Sequence, residues 1–223
     1  MLLHEQARLI GPASSSPPTF VALHRDGDQA VVVGRASRAA ILEAASIAGE
    51  ILTATEDASW VAGALPDWKV ESAVLFRRSP ESPLPTVRPG EVRFLATGEL
   101  AALTGDVEPL VPETLRDELR SAQADGTPIA VALEGGHAAT FCYAGSITET
   151  LWDVSIDTLE PYRRRGHAMK AVSFLIEHYA ARGKQPVWGA LVSNDASAAL
   201  AARLGFAPVG SLLVLSAPKV VDG

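Results

Sequence analysis

The sequence predicts an α/β fold of the α+β type, in which a mixed, mostly antiparallel sheet is flanked by helices. Three strand-like segments follow one another between residues 128 and 157, with glycine-containing turns at 134–136 and 145–146. Short turns of this kind join antiparallel strands. An amphipathic segment then runs from Gly166 to about Arg182, and another strand-like segment follows it. A meander followed by a crossover helix and a further strand implies a mixed sheet with helices packed on it.

The composition is that of a folded chain. Of the 223 residues, 48% are hydrophobic and 20% are charged, which argues against disorder. The formal net charge of −7 disfavours binding to nucleic acid, because neutralisation of phosphates by basic residues supplies most non-specific affinity. We therefore expect no nucleic-acid partner, although the local arginine cluster at 163–165 suits a small anion.

Targeting and metal-binding patterns are not evident. The first residues lack the features of a secretory signal, and no apolar run approaches the roughly 18 residues that a membrane helix needs. The single cysteine, Cys142, excludes an intrachain disulfide, and its strand-like setting predicts a small buried hydrophobe rather than a nucleophile. The five histidines show no metal-ligand spacing. We expect a cytoplasmic protein with neither a metal ion nor a membrane partner.

A proline-rich segment divides the chain. Residues 79–91 are rich in proline and serine, which is typical of an extended connector. We interpret this segment as the boundary between a smaller N-terminal α/β domain, residues 1–85, and a second domain, residues 86–223. The alternative is a long surface loop inside one domain.

The first of these domains has a short series of elements. Residues 20–23 and 29–33 are predicted strands. Ser37 precedes an alanine-rich run and suits the N-cap position of a helix. A short helix around Trp60 and a strand at 70–76 follow.

The second domain shows a clearer pattern. Pro112 suits the first turn of a helix, and Gly126 and Gly183 suit helix ends. Strands are predicted at 92–96, 128–133, 138–144, 150–157, 186–192 and 208–215, and helices at 98–103, 112–124, 166–182 and 195–204.

The loop between the third strand of the meander and the next helix points to anion binding. The strand ends near Thr158, three arginines follow at 163–165, and Gly166 opens the helix. The first N–H groups of a helix have no partner within it, and the macrodipole adds about half a positive charge there. The backbone amides of 165–169 are therefore predicted to hold a pyrophosphate, which the small residues Gly166 and Ala168 allow to approach. The alternative is a solvated basic turn.

Further residues downstream complete a recognisable combination. Asn194 follows a strand, Ser197 lies on a short helix, and Leu204-Gly205-Phe206 stands at its exit. Together with Arg163-x-x-Gly166-x-Ala168, they resemble the GNAT superfamily of N-acetyltransferases, whose pyrophosphate signature is Q/R-x-x-G-x-G/A. The resemblance covers the chain from about Val92 onwards. It looks most like a bacterial branch whose N-terminal half is a degenerate companion domain.

The resemblance implies a cleft and a cofactor. The sheet would splay between the strand ending at Thr158 and the strand ending at Val192, and acetyl-CoA would lie in that cleft. An amine would then attack the thioester directly, without a covalent enzyme intermediate. By this resemblance, the cofactor-binding residues are Ile156, Asp157, Thr158, Arg163, Arg164, Arg165, Gly166, His167, Ala168, Met169, Asn194 and Ser197.

The acid and the base depart from the family's usual pattern. Many members carry a tyrosine on the second-region helix that protonates the leaving thiolate, but Ala201 occupies that position here. Ser197 or water would have to substitute, or the thiolate would leave unprotonated. For the base, the resemblance points to the strand before the arginine loop, where Asp153 and Glu149 are the candidates. The alternative for each is a solvated or hydrogen-bonded strand carboxylate.

Three functions are compatible with these residues. We expect an acetyl-CoA-dependent N-acetyltransferase that acts on a small-molecule or peptide amine. The missing tyrosine leaves open a non-catalytic acyl-CoA-binding sensor or interaction module. The third is a protein built mainly for pairing, as a homodimer for example, in which the N-terminal half is a dimerisation or lid domain and a remnant of a second GNAT fold.

Overall fold

The computed structural model describes residues 8–11, 18–24, 27–96, 98–100 and 111–218. In the first half of this part of the chain, the elements are β1 (Arg8–Ile10), β2 (Phe20–Leu23), β3 (Gln29–Val33), α1 (Arg38–Ala45), β4 (Glu50–Ala54), α2 (Ala58–Ala64) and β5 (Lys69–Arg78).

The elements predicted for this half are confirmed, but β1 and β4 were not predicted. The strands expected at 20–23 and 29–33 are β2 and β3, and the short helix around Trp60 is α2. Ser37 caps α1, since its hydroxyl accepts the backbone N–H of Ala40 at 3.2 Å. A side-chain cap of this kind satisfies one of the free N–H groups at the start of a helix.

In the second half, the elements are β6 (Val92–Phe94), α3 (Glu113–Ala124), β7 (Ala130–Glu134), β8 (His137–Ile147), β9 (Leu151–Thr158), α4 (His167–Ala180), β10 (Gln185–Leu191), α5 (Asp195–Arg203) and β11 (Phe206–Ser216). Their order is the predicted one. β8 is longer than expected because its pairing with β9 continues past a register shift between Ala144 and Ile147. The helix expected at 98–103 falls mostly outside the described residues.

The described strands form one sheet in the order β1-β2-β3-β4-β11-β5-β10-β9-β8-β7-β6. Neighbours are antiparallel except for two parallel pairs, β3 with β4 and β9 with β10. Each parallel pair is linked by a crossover helix, α1 or α4, as such connections require. The predicted fold class, a mixed and mostly antiparallel sheet flanked by helices, is confirmed.

The two halves repeat one topology and exchange their last strands. In the first half, three antiparallel strands lead through α1 to β4 and through α2 to β5; in the second, β7 to β9 lead through α4 to β10 and through α5 to β11. β5 lies between β10 and β11, and β11 lies between β4 and β5. The two segments therefore share one sheet, while the domain boundary between residues 85 and 86 stays a prediction.

The second half has a core on each face of its sheet. Successive side chains of a strand point to opposite faces. On β8, Cys142 and Ala144 pack under α4, whereas Phe141 and Tyr143 pack under α3. On β9, Trp152 lies in the same core as α4, as predicted from its place in the alternation. The intervening positions of β9 consequently face the side of the sheet that carries α3.

The proline-rich connector is packed against the second half. The guanidinium of Arg78 donates from Nε to the carbonyl of Leu204 at 2.9 Å and from Nη2 to the carbonyl of Ser82. Gly205 has a φ of +81°, and a Cβ there would clash with the Cβ of Ser82, so this close approach requires glycine. Leu84 packs on the α4 core. These contacts fix the chain where it passes from β5 towards β6.

None of the helices in the described ranges is long and apolar enough to span a membrane.

Candidate active site

A cleft opens between β9 and β10. The two parallel strands are paired at only three positions, which are Leu151 with Gln185, Trp152 with Pro186 and Asp153 with Val187. β9 then continues to Thr158 and β10 to Leu191 without further pairing between them. In the equivalent pair of the first half, the ladder of β3 and β4 covers four positions of two five-residue strands.

The divergence leaves backbone groups available along one edge of β9. Backbone N–H and C=O groups almost always find a partner, so an extended ligand that enters the cleft can pair with them. The exposed edge begins after Asp153, and it leads directly into the arginine loop. A linear molecule with amides along its length, ending in an anionic group, fits this arrangement.

The N-terminus of α4 lies beyond the end of β9 and is open. Gly166 has a φ of +86°, a left-handed conformation that favours glycine, and no side chain caps the helix. A Cβ at Gly166 would meet no atom within 4 Å. The first N–H groups of α4 thus have no side-chain cap, in contrast to α1, where Ser37 accepts the N–H of Ala40. The group that these residues fit is a phosphate or pyrophosphate.

The three arginines of the loop differ in their contacts. Arg163 donates from Nε to the carbonyl of Thr158 at 3.1 Å, which ties it to the end of β9. Arg165 forms an ion pair with Glu134 and stands 6.0 Å from the ring centre of Tyr162. Arg164 has a φ of +63° and no side-chain partner among the described residues. Of the three arginines in the loop, Arg164 is therefore the one whose guanidinium has no partner among the described residues.

His167 can contact an anion through its backbone N–H but not through its ring. The side chain is buried, and Nε2 donates to the carboxylate of Glu134. This hydrogen bond and the nearby Arg165 keep the pKa of Glu134 below its ordinary value. Ala168 and Met169 complete the first turn of α4, and Met169 packs against the core beneath.

The remaining predicted residues of β9 are distributed over its two faces. Ile156 packs on the α4 core. Thr158 shares a hydrogen bond of 2.9 Å between its hydroxyl and that of Thr140. Asp157 lies on the other face, where partial burial and the charge of Glu118 raise its pKa. Ile156 and Thr158 can therefore contribute to the cleft only through their backbone, whereas Asp157 presents a carboxylate.

Asp153 stands at the point where β9 and β10 separate. It is the last residue of β9 that pairs with β10, and its side chain is half-buried on the α3 side of the sheet. Burial raises its pKa from 3.8 to about 6. A carboxylate with a pKa near neutrality, at the apex of a cleft, has the properties of a general base.

A polar group that sequence reasoning missed lies near Asp157. The hydroxyl of Tyr143 donates to Oε2 of Glu118 on α3 at 2.7 Å, and Ser155 faces Tyr143 across the ladder. Burial, and then Glu118, raise the pKa of Tyr143. Tyr143 alternates like a core residue and Glu118 like a solvated helix residue, so neither carried a local signal. Glu118 and Asp157 place two carboxylates on this side of the sheet.

Glu149 is placed elsewhere. It precedes β9, at the end where β9 and β10 are paired, and its carbonyl accepts a hydrogen bond of 3.2 Å from Nζ of Lys184. It lies in the bend before β9, four positions before Asp153 in the sequence. The structure does not bring Glu149 to the cleft.

Asn194 and Ser197 lie at the open end of β10. The side-chain oxygen of Asn194 caps α5 by accepting the backbone N–H of Ser197 at 3.0 Å. The hydroxyl of Ser197 accepts the indole N–H of Trp188 at 2.9 Å, which leaves its own proton available for donation. Ala201, at the position of the family's tyrosine, is buried.

Other candidate chemistry is not supported. Cys142 is buried, and burial raises the pKa of its thiol, which confirms the prediction that it is a small buried hydrophobe. Within the described ranges, no group of three or more histidine, cysteine, aspartate or glutamate side chains is arranged to hold a metal ion.

Comparisons with known proteins agree with this geometry. Residues 127–214 match the GNAT acetyltransferase family. The fold is similar to that of an acetyltransferase of the GNAT family from Novosphingobium aromaticivorans, with a TM-score of 0.60, 18% identity and 89% of each chain covered. It is also similar to a GCN5-related N-acetyltransferase-like protein from Streptococcus suis, with a TM-score of 0.63, 16% identity, and 95% of this chain and 88% of that chain covered.

A third solved structure, a GCN5-related N-acetyltransferase from Kribbella flavida, has a TM-score of 0.62 and 18% identity, with 96% of this chain and 90% of that chain covered. At these identities the likenesses show the fold, and they extend over both halves of the chain. No curated protein matches the sequence.

Proposed function

We propose that the protein is an acetyl-CoA-dependent N-acetyltransferase, because residues 127–214 match the GNAT acetyltransferase family. The observation that carries the proposal is the conjunction of two features. β9 and β10 separate after three paired positions, and the uncapped N-terminus of α4 follows directly from the end of β9. A cleft with a free strand edge and an anion-binding helix end suits a pantetheine arm joined to a pyrophosphate.

The residues that would hold acetyl-CoA are those along β9 and the arginine loop. The backbone of residues 154–157 would pair with the pantetheine amides. The amides of residues 166–169 would bind the pyrophosphate, and the guanidinium of Arg164, which has no partner among the described residues, would add charge. When bound, acetyl-CoA supplies an activated acetyl thioester.

Asp153 is the proposed general base. An acceptor that arrives as an ammonium must lose one proton to water before it can attack, and a second proton as it becomes an amide. Asp153 stands at the apex of the cleft with its pKa raised by burial to about 6, and is proposed to take the second proton. A base of this pKa is largely ionised at neutral pH while still able to hold a proton. Glu149, which lies outside the cleft, is assigned no role.

Ser197 is the proposed donor to the leaving thiolate. Its hydroxyl is oriented by Trp188 and retains a proton to give. The thiol of a free cysteine has a pKa of about 8.5, so a thiolate leaving group needs little help near neutrality. The contribution of Ser197 to the rate is therefore small in this proposal.

The acceptor side of the cleft suits an amine that arrives as a cation. Glu118, Asp153 and Asp157 lie on the face of the sheet that carries α3, and the whole chain has a formal charge of −7. A negatively charged opening raises the local concentration of a cationic substrate. We propose a small-molecule or peptide amine as the acceptor.

A second function, a non-catalytic acyl-CoA-binding sensor, is favoured by one observation. Ala201 stands where many members of the family carry the tyrosine that protonates the thiolate, and its methyl group is buried and cannot donate a proton. A sensor would retain the phosphate site and the cleft. The two functions therefore differ in turnover rather than in binding.

The test is release of free thiol from acetyl-CoA in the presence of a panel of amines, which includes polyamines, aminoglycosides and lysine peptides. The proposed function requires turnover that depends on an amine and that falls in Asp153→Asn. Binding of acetyl-CoA without turnover for any amine in the panel would favour the sensor.

A further inference from the structure

Glu134 lies at the point where the β7–β8 hairpin meets the arginine loop. It is the last residue of β7, and each of its carboxylate oxygens engages a different residue of the loop. Oε1 accepts from Nη1 of Arg165, and Oε2 accepts from Nε2 of His167. These two residues flank Gly166, so one carboxylate holds both sides of the left-handed turn that opens α4.

The backbone next to the residues that Glu134 holds includes one unfavourable conformation. Arg164 is the only residue other than glycine with a positive φ in the described ranges, and Gly166 also has a positive φ, of +86°. Such backbone persists where surrounding contacts over-determine it. Because Glu134 draws the side chains of Arg165 and His167 to the hairpin, the backbone between them is fixed with its amides free. A mobile loop would have to be ordered each time an anion bound.

The contact leaves Arg165 able to act. A guanidinium has five N–H donors, and one nitrogen, Nη1, serves Glu134. The side chain of Arg165 is about half exposed, at 54%. Its other donors thus remain for a second anion while its position is set by the first.

The exposed ion pair between Glu134 and Arg165 adds little to fold stability, whereas the hydrogen bond from the buried His167 ring also satisfies a buried donor. The side chains of Glu134 and Arg165 are 35% and 54% exposed, and ion pairs at such exposure contribute little to stability. A second pair on the same helix provides the comparison. Lys170 donates to Glu91 at 2.9 Å with similar exposure, and it ties α4 to the connector rather than to the loop.

We propose that Glu134 is a positioning residue for the pyrophosphate of the cofactor, which acts by holding Arg165 and His167 on either side of Gly166. This inference rests on the proposed function. It assigns to the β7–β8 hairpin a part in cofactor binding that the signature sequence does not contain.

The test compares Glu134→Gln with the matched control Glu91→Gln, because each variant removes one carboxylate charge from an ion pair to α4. Two ligands are titrated into each protein: acetyl-CoA by calorimetry, and S-acetyl-pantetheine, which lacks the phosphates, by ligand-observed NMR. We expect Glu134→Gln to weaken acetyl-CoA about tenfold and to leave S-acetyl-pantetheine unchanged within about twofold. Glu91→Gln should change neither ligand by more than about twofold.

Three results would overturn the proposal. Unchanged or tighter acetyl-CoA binding by Glu134→Gln would show that the carboxylate is neutral or competes with the phosphate for Arg165. An equal loss for both ligands would indicate a general disturbance of the cleft. If the wild-type protein bound no acetyl-CoA, the proposed function would fail and this inference with it, whereas the first two results leave the proposed function standing.

Discussion

Asp153 pairs with Val187 at the last position that β9 and β10 share before they separate. The pairing fixes the backbone of Asp153, so that its carboxylate is held at the apex of the cleft. Its pKa is raised to about 6 by burial. Both properties belong to the place where the strands diverge, and they lead to two predictions.

The first prediction concerns activity. A general base must be ionised, so kcat/KM should rise with pH through about 6 and then level off. Asp153→Asn should lower kcat by about 10²–10⁴-fold, the usual range for loss of a general base, and should remove that acid limb. Initial rates of thiol release from pH 5 to 9 provide the measurement.

Glu149→Gln is the comparison for this experiment, since Glu149 was the other candidate base. It lies at the paired end of the strands, and its replacement should leave the pH profile unchanged. A profile that lost its acid limb in Glu149→Gln and kept it in Asp153→Asn would reverse the assignment.

The second prediction concerns stability. Because folding raises the pKa of Asp153 from 3.8 to about 6, the ionised carboxylate is less favourable in the folded protein than in the unfolded chain. This destabilisation is absent below about pH 4 and develops as the pH rises through about 6. Asp153→Asn should therefore stabilise the protein at pH 8, by about 1–2 kcal/mol, because partial exposure reduces the effect of a two-unit shift.

Urea unfolding of both proteins at pH 4 and pH 8 measures this difference. The variant and the wild type should differ at pH 8 and converge at pH 4. A gain in stability of the same size at both pH values would mean that charge on Asp153 is not its cause.

The third prediction concerns Ser197 and Trp188. Trp188 is 1% exposed, and Ser197 accepts its indole N–H. Ser197→Ala should leave a buried donor without a partner and lower the free energy of unfolding by about 1–3 kcal/mol. By contrast, acetyl-CoA affinity should change little, because the amides of the loop are untouched.

Trp188→Phe provides the matched background for this measurement, since it removes the donor while keeping an aromatic ring. In that background, Ser197→Ala should have an effect on unfolding below about 0.5 kcal/mol, because no donor is left unpaired. Additive losses in the double variant would show that the hydrogen bond is not the cause.

The fourth prediction concerns the exchanged strands. A fragment of residues 86–223 lacks β5, which lies between β10 and β11 and pairs with both. Without it, β10 loses one neighbour and β11 loses both, since β4 is also missing. We expect the fragment to show no cooperative thermal transition by circular dichroism. A fragment that melted cooperatively and bound acetyl-CoA would establish residues 86–223 as an independent domain.

The local elements could be predicted because their signals are local. The glycine turns, the cap at Ser37 and the amphipathic run that became α4 are each contained in a few neighbouring residues. The arginine loop was recognisable for the same reason, since Gly166 and the residues around it form one short pattern. The exchange of β5 and β11 has no such signal, because a buried strand has the same pattern whichever strands lie beside it.

The contacts between side chains in the site could not be predicted from neighbouring residues in the sequence. Glu134 ends a strand next to a glycine turn, which is an ordinary place for a solvated carboxylate, and only the approach of the loop supplies its partners. Glu118 and Tyr143 are similarly inconspicuous until α3 packs on β8. Glu149 is the opposite case: it is close to Asp153 in sequence, but it does not lie at the cleft.

Binding of the acetyl-CoA pyrophosphate at the N-terminus of α4 is tested most directly by calorimetric titration of Gly166→Glu. Gly183→Glu is the matched control, since Gly183 follows the other end of α4, has a φ of +74°, and would meet no atom within 4 Å of an added Cβ. Both variants carry the same backbone strain and added charge. We expect micromolar binding by the wild type and by Gly183→Glu, and none by Gly166→Glu. Equal binding by all three proteins would contradict a pyrophosphate site at this end of the helix.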